Sequence, residues 1–293
     1  DQTNWAVKWA NEAIDDRTLR SKIDAEVDML SNIEPPSLDG FVEVDITSVG
    51  QDVKLGGNTL SFSTDTGAIT GFVDKRNLSW ASIDHPLALF EYTLYTNDQM
   101  TALRAEYCPN GCNPKEFGKP GMPLSSSVNA RPFAPSIWVK KGASGEVSEI
   151  ITIASMKEEV NIQYGAPSQV WLHLTGGGDS LSVDVTLVNK TATRFAEAAF
   201  ITFDPVPGSG HGQGWAMDKL GRWISPLAIA DGGSMGLSPV NTGILYSKGT
   251  SSSHTGSAGG VGHSMFFRTL DAAVVKFGEK LPFPTPIHGS ADM

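Results

Sequence analysis

Apolar side chains near the start of the chain recur at helical spacing, whereas the remainder alternates at strand spacing between turns. Trp5, Trp9, Leu19, Ile23 and Leu30 follow a 4-3-4-3 rhythm interrupted by Glu12 and Asp16. That is the seam of a helix packed on other helices. The spacing predicts one long amphipathic helix over 4–32, stopped by Pro35-Pro36, which cannot continue it. At ~1.5 Å per residue it would be about 40 Å long. Nothing later in the chain offers it a helical partner of similar length, so the seam is expected to face polypeptide other than its own sheets.

Beyond the prolines the period falls to two. Phe41-Val-Glu-Val-Asp-Ile alternates apolar and acidic residues, and Leu60–Asp65 and Ala68–Asp74 flank an Asp65-Thr-Gly67 turn, the pattern of a β-hairpin. Leu87–Tyr95 reads as an apolar strand and Asp98–Tyr107 as a short helix. Strand patterning then recurs over Pro135–Lys140, Glu146–Met156, Val160–Tyr164, Gln169–Leu174, Ser180–Val188 and Ala196–Phe203, with a hairpin turn at 176–179. The apolar run Ala198–Phe203 predicts a strand buried on both faces. So many strands without intervening helices imply stacked antiparallel sheets, and their number exceeds an immunoglobulin-like sandwich. The expected fold class is all-β: a large antiparallel supersandwich over 37–286, preceded by the helix of 1–36 and followed by a tail, 287–293.

The chain has 293 residues and a formal net charge of −10, with no Lys/Arg cluster to offset it. That balance repels nucleic acid and anionic membrane surfaces. No apolar run approaches the ~18–20 residues of a membrane-spanning helix. The start at Asp1 without a Met predicts a processed or excised segment. Cys108-Pro-Asn-Gly-Cys112 holds the only two cysteines. A local disulfide is the preferred reading, with free thiols or a redox motif as alternatives. The sequons Asn77-Leu-Ser and Asn189-Lys-Thr agree with it, so a secreted, extracellular glycoprotein is expected.

The stretch Leu60-Ser-Phe-Ser-Thr-Asp-Thr-Gly-Ala-Ile-Thr-Gly-Phe-Val-Asp-Lys75 resembles the opening hairpin of the β-sandwich half of glycoside hydrolase family 38. It is more similar still to a group of large secreted proteins with the same layout. The resemblance continues through His85–Tyr92, Phe117–Met122, Asn189–Glu197, Met217–Pro226 and Ser264–Val275. It implies a galactose-mutarotase-like supersandwich, with the helix as the last member of a linker bundle. It also implies that the barrel carrying the catalytic carboxylate and metal ligands lies outside this chain. No cofactor is therefore expected here, although a divalent metal would belong to that barrel.

Six histidines, His85, His173, His211, His254, His263 and His288, form no metal-ligand spacing, and no Gly-x-Ser-x-Gly elbow occurs. His173 reads as structural, and Trp80, Trp138 and Trp171 read as core. Sugar rings stack their C–H faces on aromatic rings while their hydroxyls need polar partners. Trp215, Trp223 and His211, with Asp218, Lys219 and Arg222 between them, combine both functions in one segment. His211, Trp215, Asp218, Lys219 and Arg222 are the candidate carbohydrate contacts, and the alternative is core packing for Trp223 and a salt-bridged loop for the charges. The expected function is a carbohydrate-active β-sandwich part without turnover of its own. The alternative is a non-catalytic extracellular subunit that assembles through its helix seam and sheet edges, with identical subunits or fragments of the same precursor as partners. A mutarotase-type epimerase would need a His and a Glu on one sheet face, which sequence alone cannot pair.

Overall fold

The computed structural model describes residues 8–31, 35–45, 52–108, 110, 126–177, 179–208, 211–229, 237–250 and 263–282. These residues form a mostly β protein of several antiparallel sheets. A five-stranded sheet has the order β1 (Phe41–Val44), β8 (Phe133–Lys141), β9 (Val147–Ser155), β10 (Gln169–Gly177), β11 (Ser180–Val188). A four-stranded sheet runs β2 (Val53–Leu55), β3 (Asn58–Phe62), β4 (Ile69–Val73), β5 (Ser79–Ala81), so the predicted hairpin of β3 and β4 forms. In a three-stranded sheet β6 (Leu89–Leu94) lies between β12 (Glu197–Thr202) and β7 (Val128–Ala130). A second four-stranded sheet has the order β14 (Arg222–Ile224), β13 (His211–Lys219), β16 (Gly243–Thr250), β17 (Ser264–Arg268), and β15 (Ser238–Pro239) pairs with β18 (Val274–Val275).

Alternation decides what each sheet buries. On β8, β9 and β10 it sends Ile137, Val139, Ile150, Val170, Leu172 and Leu174 to one face. There they share one core with Leu60, Trp80, Phe90, Tyr92, Trp215 and Met217 from the other sheets. The strand buried on both faces is β6, every residue of which is buried, and not the Ala198–Phe203 run, whose strand β12 stays half-exposed at the sheet edge. Two hairpin tips interlock by dispensing with side chains. A Cβ on Gly176 would lie 2.9 Å from Leu55 Cγ, and Lys75 and Asp179 form an ion pair beside them.

The single long helix does not form. Residues 8–12 are helical, 13–16 are not, and α1 (Arg17–Ser31) starts afresh. Asp16 causes the restart: its Oδ1 accepts from the amides of Thr18 (2.8 Å) and Leu19 (3.2 Å), the bonds of a helix N-cap. Arg20 donates to the carbonyls of Glu12 and Ile14 at the break. Asn11 also bonds Asp24, two residues that a straight helix would hold roughly 20 Å apart. The chain therefore folds back at 13–16. Val160–Tyr164 likewise departs from its predicted strand: it belongs to helix α3 (Glu158–Tyr164). Glu158 and Glu159 favour a helix N-terminus, and Gly165 closes the helix at φ 72°. Helix α2 (Asn97–Tyr107) forms as expected, with a Thr96/Gln99 capping box. Cys108 caps its C-terminus; its predicted disulfide partner, Cys112, lies outside the described residues.

The turn carrying Asn77 is organised by Asp74. Its Oδ1 accepts from the amides of Arg76 (2.9 Å) and Leu78 (3.0 Å), and its Oδ2 from Trp80 Nε1 (3.0 Å) and Arg76 (2.7 Å). Burial pushes the Asp74 carboxyl up, but the Trp80, Leu78 and Arg76 donors outweigh it and hold the group at about 2. The folded pKa thus lies below the unfolded one. The stabilisation, about 2 kcal/mol, is present above pH ~4 and is lost as pH falls towards 2. In acid-unfolding curves, Asp74→Asn is expected to remove the corresponding pH dependence between about pH 4 and 2.

Candidate functional site

The predicted sugar-contact segment is divided by the strand period. Trp215 on β13 is 6% exposed and packs against the rings of Tyr246 (4.9 Å), Phe267 (5.5 Å) and Phe277 (6.0 Å). A ring so enclosed cannot stack on a sugar. Asp218 is also buried: it accepts from Thr242 Oγ1 (2.6 Å) and the Gly221 amide (2.9 Å) and closes the β13–β14 turn. Lys219 donates to the Pro239 carbonyl, while Arg222 is exposed on β14. The His211 backbone pairs with Thr250; its side chain lies outside the described residues, as do His254 and His288. Trp223 is 51% exposed on the face opposite Trp215, edge-on to Phe266 at 5.8 Å, so it does not pack in the core. A candidate set drawn from consecutive residues therefore falls on two faces.

A second set of groups converges on the five-stranded sheet, on the face turned away from the main core. Phe41, Lys140 and Glu149 lie opposite one another across β1, β8 and β9, and Glu149 faces Thr175 on β10. His173, two residues along β10, points to the same side. Glu149 is the hub: Oε1 lies 3.0 Å from Lys140 Nζ and Oε2 lies 2.8 Å from His173 Nε2. Phe41 meets the His173 ring edge-on at 6.3 Å, and Lys140 Nζ sits 5.4 Å over Phe41. Farther along this face, Ile151, Trp171 and Val188 form a small second apolar cluster, covered by Leu38, Phe41, Trp138 and Ile153. Leu38, just after Pro35-Pro36, packs on this cluster, while the side chains of Lys140, Glu149 and His173 keep 40%, 25% and 28% of their surface exposed.

The electrostatics favour recognition over proton transfer. The Lys140 hydrogen bond, with help from His173, outweighs burial and holds Glu149 below the usual carboxylate range. An anion so well paired is a weak base at neutral pH. It is nevertheless a good hydroxyl acceptor beside an ammonium donor, a combination suited to vicinal hydroxyls, with Phe41 and the half-buried Trp138 providing apolar surface. The His and Glu that an epimerase needs on one sheet face do meet here. Sequence reading separated them because their contact depends on the β9–β10 register; the outward phase shared by Trp171 and His173 was the only local signal. Elsewhere, His85 Nδ1 lies 3.1 Å from Asp204 and ties the β5–β6 turn to the end of β12. Glu197 pairs with Lys190 (2.9 Å) and accepts from the Tyr92 hydroxyl. Among the described residues no group of three or more His, Cys, Asp or Glu side chains could hold a metal, and no helix is long and apolar enough to cross a membrane.

The class defined by this fold is a mostly antiparallel β protein with a charged and aromatic patch on one sheet. The chain belongs to the family described as Domain of unknown function (DUF5054), whose profile matches residues 1–183, from the helical segments through the hairpin partner of the candidate site. No curated protein and no solved structure matches it.

Proposed function

We propose that this chain is the supersandwich part of a secreted, carbohydrate-active protein with the family-38-like layout, and that it binds glycan without turning it over. The family-38 resemblance and the many antiparallel strands support that layout. The observation that carries the binding reading is the Lys140–Glu149–His173 cluster beside Phe41, accessible on a sheet face. Calorimetric titration against a panel of neutral oligosaccharides tests it. Lys140→Ala and His173→Ala are expected to weaken binding roughly 10-fold each, the worth of one charged hydrogen bond, with the melting temperature nearly unchanged. Absence of binding to the whole panel by the unaltered protein sinks the proposal.

A second reading, the assembling extracellular subunit, is favoured by α1. Leu19 and Met29 are 47% and 70% exposed, and among the described residues neither apolar cluster includes a residue of α1. Ile23 is half-buried; Trp5 lies outside the described residues, as does the side chain of Leu30. Concentration-dependent sedimentation that Leu19→Glu abolishes would support this reading; a monomer at all concentrations would end it.

A further inference from the structure

An open cleft of ≈ 540 Å³ lies at the other end of the face that carries the Glu149 cluster, where Ser155, Gln169 and Val188 come into register. Its wall is α3, through Glu158 and Asn161, and Pro35 and Met156 add apolar surface. Such a mixture of apolar floor and separated polar groups fits a neutral, hydroxyl- and amide-bearing ligand. Asn189, the first residue of a sequon, lines the same cleft.

The local structure holds Asn189 at that rim. It leaves β11 with φ 53°, its Nδ2 donates to Ser168 Oγ (3.2 Å), and its carbonyl accepts from Asn161 Nδ2 (3.3 Å). An asparagine linked to a sugar keeps one N–H on Nδ2, enough for a single bond such as that to Ser168. The Glu158 side chain makes no hydrogen bond or ion pair among the described residues and is left to accept from sugar hydroxyls. Asn77 is a contrast within the same molecule: it is exposed on the β4–β5 turn and does not line this cleft.

We infer that the cleft holds the first sugars of an N-linked glycan on Asn189, so that this glycan is a packed part of the surface, whereas one on Asn77 extends into solvent. The inference rests on the secreted reading proposed above. The test uses protein secreted from a glycosylating host, digested under native conditions with an endoglycosidase that cuts within the glycan core, and followed by site-resolved mass spectrometry. Release at Asn189 is expected to be about 10-fold slower than at Asn77, a factor equivalent to roughly 1.4 kcal/mol of holding. The two rates should converge after denaturation, and in Glu158→Trp, whose ring fills the cleft from an exposed position. Equal native rates at two occupied sites overturn the cradle and leave secretion standing. Two unoccupied sites overturn both.

Discussion

Glu91→Ala is expected to destabilise the protein by about 3–5 kcal/mol, measured as the shift of a urea midpoint at constant slope. Glu91 sits on the fully buried β6 and is 1% exposed. Its Oε1 accepts from Arg131 Nε (2.9 Å) and a terminal Arg131 nitrogen (2.8 Å), and its Oε2 from Thr202 Oγ1 (3.1 Å) and Lys280. Removing the carboxylate leaves two cations facing each other without their shared counter-ion. It also frees the segment around Lys280, whose carbonyl takes the Tyr95 hydroxyl at 3.0 Å and whose neighbour Phe277 packs on Trp215. A loss below 1 kcal/mol would mean that the ion pairs merely fill space.

Trp215→Ala is expected to cost a similar amount, about 3–5 kcal/mol, because it empties a ring-sized volume among Tyr246, Phe267 and Phe277. Trp215→Phe should cost distinctly less. The indole Nε1 has no hydrogen-bond partner among the described residues, so its deletion breaks no bond. The opposite pattern, full stability with loss of glycan affinity in Trp215→Ala, would return Trp215 to the sugar contacts and contradict its burial. Thermal unfolding read beside calorimetric titration separates these outcomes.

The segments differ in how far their sequence could be read. The hairpin of β3 and β4, the strand series β8–β11 and helix α2 were legible because period, turn residues and caps act within a few positions. The helix over 4–32 was misread for a local reason too: Asp16 broke the apolar rhythm because it is a cap, and treating it as an interruption hid the fold-back. Val160–Tyr164 alternates apolar and polar residues, a strand signal over five positions, but Glu158-Glu159 before it and Gly165 after it are helix-end residues that outweigh so short a pattern. The candidate site was the least legible. Trp215 and Trp223 differ in exposure because they project from opposite faces of adjacent strands, a phase that composition does not reveal.

By itself, the sequence determined the antiparallel β character, the punctuation by turns and the alternation that assigns each side chain to one face of its strand. These depend on steric and hydrophobic effects between near neighbours. The tertiary structure alone decided which faces meet. It joined Lys140, Glu149 and His173, separated by up to 33 positions, by setting strand registers, and it placed Glu91 between Arg131 and Lys280. Pairing between distant strands is fixed by burial of the whole core, a collective quantity that no local stretch of the chain contains.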